Sequence, residues 1–212
     1  MMGDWTKYDT TPGTKLAKLH HAVDDAVKRV SALEWDKTRT PPQQHSAGRK
    51  IAEATVAEIN KTRAELKSWV ERENAAAMDE INTALAPDIG TAAQVMRSEI
   101  RAFVLSKKGE PEFAAELRSL VETDLRFATA LFEAPAALSG MSQERLQTLR
   151  LQAAVAHAPE AAERVRLASE VGELDRKLAS VAAEVPRSFY DGNIEKGMAT
   201  YVDVNAPLAT GE

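Results

Sequence analysis

The chain has no cysteine, which excludes disulfides, thiolate zinc sites and cysteine nucleophiles. Aromatic residues are only 5% of the 212, so a core has to be built mainly from alanine, leucine and valine. No segment approaches the roughly 20 consecutive apolar residues of a membrane span. Residues 1–14 are polar and lack the apolar run of a secretion signal. These absences predict a soluble chain made in the cytoplasm, although a particle released outside a cell is equally safe without thiols. A glycine-rich phosphate loop, a Gly-x-Ser-x-Gly elbow and a His-Glu-x-x-His pair are all missing. The four histidines are His20, His21, His45 and His157. His20 and His21 are adjacent and would point about 100° apart on a helix, which does not suit one metal. Carboxylates lie on polar helix faces near basic residues, as Glu71 does four residues after Lys67, the pattern of solvated ion pairs. No catalytic residue, cofactor, metal or small-molecule substrate is therefore expected, and the chain reads as a non-enzyme.

What is present is helical. Hydrophobic residues make up 44% of the chain, and alanine alone accounts for 37 positions. Alanine is the best helix former, and Glu, Lys, Arg, Leu and Gln supply most of the rest. The 10 glycines and 9 prolines sit mostly between periodic segments. Net charge is −5 but uneven. Residues 1–50 carry nine Lys+Arg against six Asp+Glu, and the remainder carries 18 against 26. A basic end on an acidic body can steer self-association or contact with an acidic partner.

Two stripes follow strict three-four spacing: Leu16, Leu19, Val23, Ala26, Val30 and Leu33, then Leu167, Val171, Leu174, Leu178, Val181 and Val185. Each lets a helix bury a narrow seam. An internal three- or four-helix core and an intersubunit seam both produce this spacing.

Along the chain, Pro12-Gly13 signals a turn and closes an N-terminal arm, residues 1–13. Thr14 can cap a first helix, and Pro41-Pro42 halts it. A second helix is expected from about Ala47 to Leu85, roughly 55–60 Å long. Its apolar face is thin (Val56, Ile59, Leu66, Val70, Ala77), with Arg63 and Glu73 on the seam and Trp69 as the one large anchor. Such a helix is either half of an extended hairpin, residues 14–86, or a bridge between subunits. Residues 87–185 form a compact bundle. There Thr91 to Gln94 has the form of a capping box. Phe113, Leu117, Leu120, Val121, Leu125, Ala128, Leu131 and Phe132 make the strongest amphipathic stripe, and Ser142 is the next cap. Pro186 ends the helices, leaving residues 186–212 as an extended arm in which Tyr201 to Val204 alternates briefly. The expected fold is all-α: an extended N-terminal helical hairpin, a compact helical bundle, and non-helical arms at both ends.

Candidate interface residues are the arm aromatics Trp5, Tyr8, Phe189, Tyr190 and Tyr201, the first-stripe residues Leu16, Leu19, Val23, Val30 and Leu33, and Trp69. Lys37, Arg39, Arg49 and Lys50 flank the Pro41-Pro42 loop. They are candidate phosphate contacts at a hairpin tip, so nucleic acid is a possible but less favoured partner.

The run Glu133-Ala134-Pro135-Ala136-Ala137-Leu138-Ser139-Gly140-Met141-Ser142, followed by the helix through His157-Ala158-Pro159-Glu160, resembles small all-helical proteins encoded among tailed-bacteriophage structural genes. The resemblance covers about residues 110–185. It implies a virion component made in the host cytoplasm, assembling with copies of itself and other virion proteins and having no active site. A transient scaffold or adaptor for particle assembly is the alternative. No functional residue carries over, and the N-terminal hairpin lies outside the resemblance.

Overall fold

The computed structural model describes residues 11–197. The fold is all-α, and no strand occurs among the described residues. Helices run over Thr11–Glu34 (α1), Pro41–Ala84 (α2), Thr91–Ser106 (α3), Phe113–Thr123 (α4), Leu125–Phe132 (α5), Gln143–His157 (α6), Pro159–Phe189 (α7) and Gly192–Glu195 (α8), with a 3-10 turn at Ala136–Ser139. The chain divides into two compact units. One is Met1–Ser68 with Val171–Glu212, the other Trp69–Glu170. Both divisions fall inside a helix, α2 and α7.

Unit 1 holds α1, the first part of α2 and the last part of α7. Its core is Leu19, Ala52, Ile59 and Val185, with Val23, Val56, Leu178, Ala182, Phe189 and Tyr190 packed against it. Prolines begin two of the helices instead of excluding them. Pro12 and the Pro41-Pro42 pair each lie in a first turn, where a missing N–H costs nothing. Helix α1 therefore starts at Thr11, not Thr14, and α2 starts before Ser46. The Thr40 N–H donates to Gln43 Oε1 at 2.9 Å, one half of a capping box.

The buried stripe of α2 is also shifted from the expected one. Ala52, Thr55, Ile59, Thr62, Leu66 and Trp69 are buried, while Val56 and Val70 are only half-buried. Threonine fills the seam because its methyl packs and its hydroxyl finds the helix backbone. Thr55 Oγ1 donates to the Ile51 carbonyl at 2.7 Å. Beyond Trp69 the buried positions become Ala77, Ile81 and Leu85. The spacing changes from alternating three and four to four, which carries the stripe around the helix.

Helix α7 behaves similarly. Leu167, Val171 and Val185 are buried, but Val181 is 41% exposed, and Ala182 takes the packed position. Pro186 does not end this helix, which runs through it to Phe189. The broken backbone bond is offset because Val185, Phe189 and Tyr190 dock on the unit 1 core. Gly48 permits that docking, since a Cβ there would lie 2.5 Å from the Phe189 carbonyl oxygen. Polar pairs tie the three helices together. Lys15 of α1 pairs with Glu65 of α2. The Arg63 guanidinium of α2 grips both oxygens of Asp175 of α7, at 2.7 and 3.1 Å.

Unit 2 packs α3 against α5 and α4 against α5 and α6. Its core runs from Ala77, Ile81 and Leu85 through Val104, Phe113, Leu117, Val121, Ala128 and Leu131 to Leu146, Leu149, Ala153 and Ala161. The strong stripe over residues 113–132 is two helices, not one. Asp124 adopts an extended backbone and caps α5 by accepting from the Arg126 N–H. At α3 the cap position is Gly90 at φ +148, with no side-chain bond, so Thr91 is the first helical residue and forms no capping box. Ser142 does cap α6, its hydroxyl accepting from the Arg145 N–H at 3.2 Å.

Candidate interaction surfaces

Most of the side chains expected at interfaces are covered by their own chain. Leu19 and Ala26 are 5% and 6% exposed, and Trp69 is 7% exposed. Val23, Phe189 and Tyr190 pack on the unit 1 core. Leu16, Val30 and Leu33 are half-buried. The first stripe is thus largely used inside unit 1, because the last part of α7 supplies the third helix that a two-helix hairpin lacks. The tail aromatics Phe189 and Tyr190 belong to that third helix and its exit, not to a free arm. Trp5, Tyr8 and Tyr201 lie outside the described residues. The α1–α2 connection instead presents Trp35, 80% exposed.

The four tip cations do not act together. Arg39 Nε sits 3.1 Å from Asp36. The Thr38 hydroxyl donates to Asp36 and holds its carboxyl below the usual aspartate range. Arg49 donates to Glu53 at 2.8 Å and also reaches Glu195 at 3.5 Å. Nearby, His45 Nδ1 accepts from the Asp191 N–H at 2.9 Å. Lys37 and Lys50 remain exposed, so two of the four charges are already compensated within the chain.

Unit 2 contains a brace that sequence reasoning missed. Arg97 on α3 is buried, 9% exposed. Its Nη1 donates to the Asp88 carbonyl at 2.8 Å and its Nη2 to Glu133 Oε1 at 3.4 Å. Its Nε lies 2.5 Å from Glu133 Oε2 at an angle unsuited to a hydrogen bond, so that approach is a charge contact. One turn on, Arg101 donates to the Ala130 carbonyl at 3.0 Å. That carbonyl is in the last turn of α5, where no helical N–H follows to claim it. Two arginines four residues apart between apolar neighbours are the only hint of this in the sequence.

With α3 fixed in this way, its adjoining face carries Met96, Ile100 and Phe103 in one row. Met96 is 43% and Phe103 38% exposed, and Val95 beside them is 54% exposed. Phe103 stands edge-on to Phe113 and to Phe127, at centroid distances of 5.7 and 6.3 Å. Single exposed apolar side chains are ordinary, but a continuous row on a braced helix is not.

Two concavities lie along α4 and α6. One, about 400 Å³, is lined by Ala114, Arg118, Ser142, Arg145, Thr148 and Gln152 among others. The second, about 380 Å³, shares Ala114, Ser142 and Arg145 and extends to Lys108, Gly140 and Met141. Shared walls make them one groove. Nothing in the sequence pattern signalled it, because its cations come from α4, α6 and the loop after α3.

Among the described residues, no group of three or more His, Asp or Glu could hold a metal ion. No described helix is long and apolar enough to cross a membrane. Comparison with protein-family models, with curated proteins and with solved structures finds no match to this chain.

Proposed function

We propose that this chain is a non-enzymatic assembly protein, a structural component of a tailed-phage particle that binds copies of itself through α3. The apolar row Met96, Ile100 and Phe103, held in place by the Arg97–Glu133 brace, carries this reading. A braced helix with a partly exposed apolar row gains free energy by burying the exposed part against protein, at about 25 cal/mol per Å². The virion setting is supported by the resemblance over residues 133–142 and 157–160, and the α3 row is a separate observation.

Two measurements test it. Light scattering of the purified chain should show self-association that Met96→Glu with Phe103→Glu abolishes while circular dichroism stays unchanged. Quantitative mass spectrometry of particles purified from the source should find many copies per particle. Enrichment in immature particles alone would mark a transient scaffold. A strict monomer absent from all particles would refute the proposal.

A further inference from the structure

The groove along α4 and α6 has a composition that favours one kind of occupant. Its floor is apolar, with Phe113, Leu117 and Leu149 buried at 5%, 1% and 3% exposure and Met141 beside them. Its rim is cationic. Lys107 is taken up by Glu110 at 3.0 Å. Lys108, Arg118 and Arg145 form no ion pair among the described residues, and Glu144 is the one other acid on the lining. This local excess of positive charge runs against the acidic balance of residues 51–212.

The rim is also positioned. Gly140 sits at φ +68, and a Cβ there would lie 3.0 Å from Lys108 Cδ and 2.8 Å from Leu105 Cδ1. The Lys108 stem is therefore laid against a backbone that only glycine leaves clear. At the far end, the Gln152 carboxamide oxygen is buried without a hydrogen-bond partner. Turning it toward an occupant's N–H would gain that oxygen a bond and lose it none.

We propose that this groove binds an acidic amphipathic helix of a partner protein. Leucine or phenylalanine side chains of the partner lie over the half-buried Ala114 and Met141, above a floor closed by Phe113 and Leu117, and its carboxylates meet Arg118, Arg145 and Lys108. A third helix laid between two others buries an apolar stripe in the way such grooves generally do, and the cations select the sign of the partner's polar face. The inference concerns unit 2 alone and stands whether or not the chain belongs to a particle.

The test uses the full chain and three fluorescent probes: a 15-residue Glu/Leu amphipathic peptide, a Glu/Ser peptide of equal charge, and a 15-nucleotide single strand of DNA. Fluorescence anisotropy should show binding of the Glu/Leu peptide that is at least tenfold tighter than of the other two. Arg118→Glu with Arg145→Glu should weaken it at least tenfold, both positions being exposed and the fold checked by circular dichroism. Ala114→Leu, which fills the junction of the two concavities without changing charge, should weaken it by a similar factor. Equal binding of the Glu/Ser peptide or of DNA would overturn the proposal, as would indifference to both variants. Loss of self-association in the charge-reversed variant would assign the groove to a second copy of the chain and overturn it too.

Discussion

Arg97 shows how much one side chain can decide. A guanidinium this buried needs its charge met, and Glu133 with the Asp88 carbonyl does so. Removing Glu133 strands the cation in a low-dielectric site, whereas removing both charges leaves only a packing change. Glu133→Ala should therefore cost about 1–2 kcal/mol by urea denaturation. That is less than the roughly 3–5 of a fully buried pair, because the Glu133 side chain is 36% exposed. Adding Arg97→Met should recover at least half of the loss. A double variant as unstable as the sum of its single changes would show that the two residues act independently. Caps tell a related story. Ser142 was readable because a small hydroxyl residue stood just before a periodic run. Asp124 was not, because an unbroken apolar period ran straight across it, and only the turn of its backbone at φ −123 and ψ 107 separates α4 from α5.

At the scale of elements, helix interiors contain two glycines whose roles are opposite. Alanine is favoured over glycine in a helix by about 1 kcal/mol. At Gly172 of α7 nothing lies within 4 Å of an added Cβ, whereas at Gly48 of α2 the Phe189 carbonyl oxygen would be 2.5 Å away. Gly172→Ala should raise the melting temperature, corresponding to about 0.5–1 kcal/mol. Gly48→Ala should lower it by about 1–3 kcal/mol through overpacking against backbone. Thermal denaturation followed at 222 nm distinguishes them, and a stabilised Gly48→Ala would disprove the close approach of α2 and the end of α7. Helix existence along α1, α2 and α7 was legible from period alone. The phase of each buried face was less so. Thr55 and Thr62 sit in a seam where the expected stripe placed Val56 and the interrupting Arg63, and Ala182 replaces Val181. Hydropathy ranks side chains by transfer free energy, while a seam selects shape and the pairing of the polar atom.

For the whole molecule, acid sensitivity follows from its ion pairs. The Arg63 guanidinium, hydrogen-bonded to Asp175, holds that carboxyl below the usual aspartate range. Lys15 does the same for Glu65, and Arg126 for Asp124. A carboxylate whose folded value is depressed contributes stability that is complete above its unfolded value, near 4, and is lost as pH falls through the lower folded value. The melting temperature should therefore drop with increasing slope below about pH 4. Asp175→Asn should make that drop shallower while lowering the melting temperature slightly at pH 7. An acid limb of unchanged slope in this variant would remove Asp175 from the account. The groove and the α3 row, by contrast, were illegible as sites. Their residues are spread over α3, α4, α6 and the loops between them, and a linear pattern holds no record of which faces end up adjacent.

Composition and period by themselves determined that the chain is helical, that its helices are interrupted just before Pro41, around Ala86 and just before Pro159, and that cysteine chemistry is closed to it. These follow from local terms: backbone entropy, missing N–H groups and the energy of burying one stripe. Tertiary structure alone decided that α7 completes the core beneath α1, that Pro186 is carried inside a helix, that Arg97 is buried, and which cations line a groove. Those outcomes depend on contacts between residues as far apart as Gly48 and Phe189, whose energies exist only once the chain has brought them together.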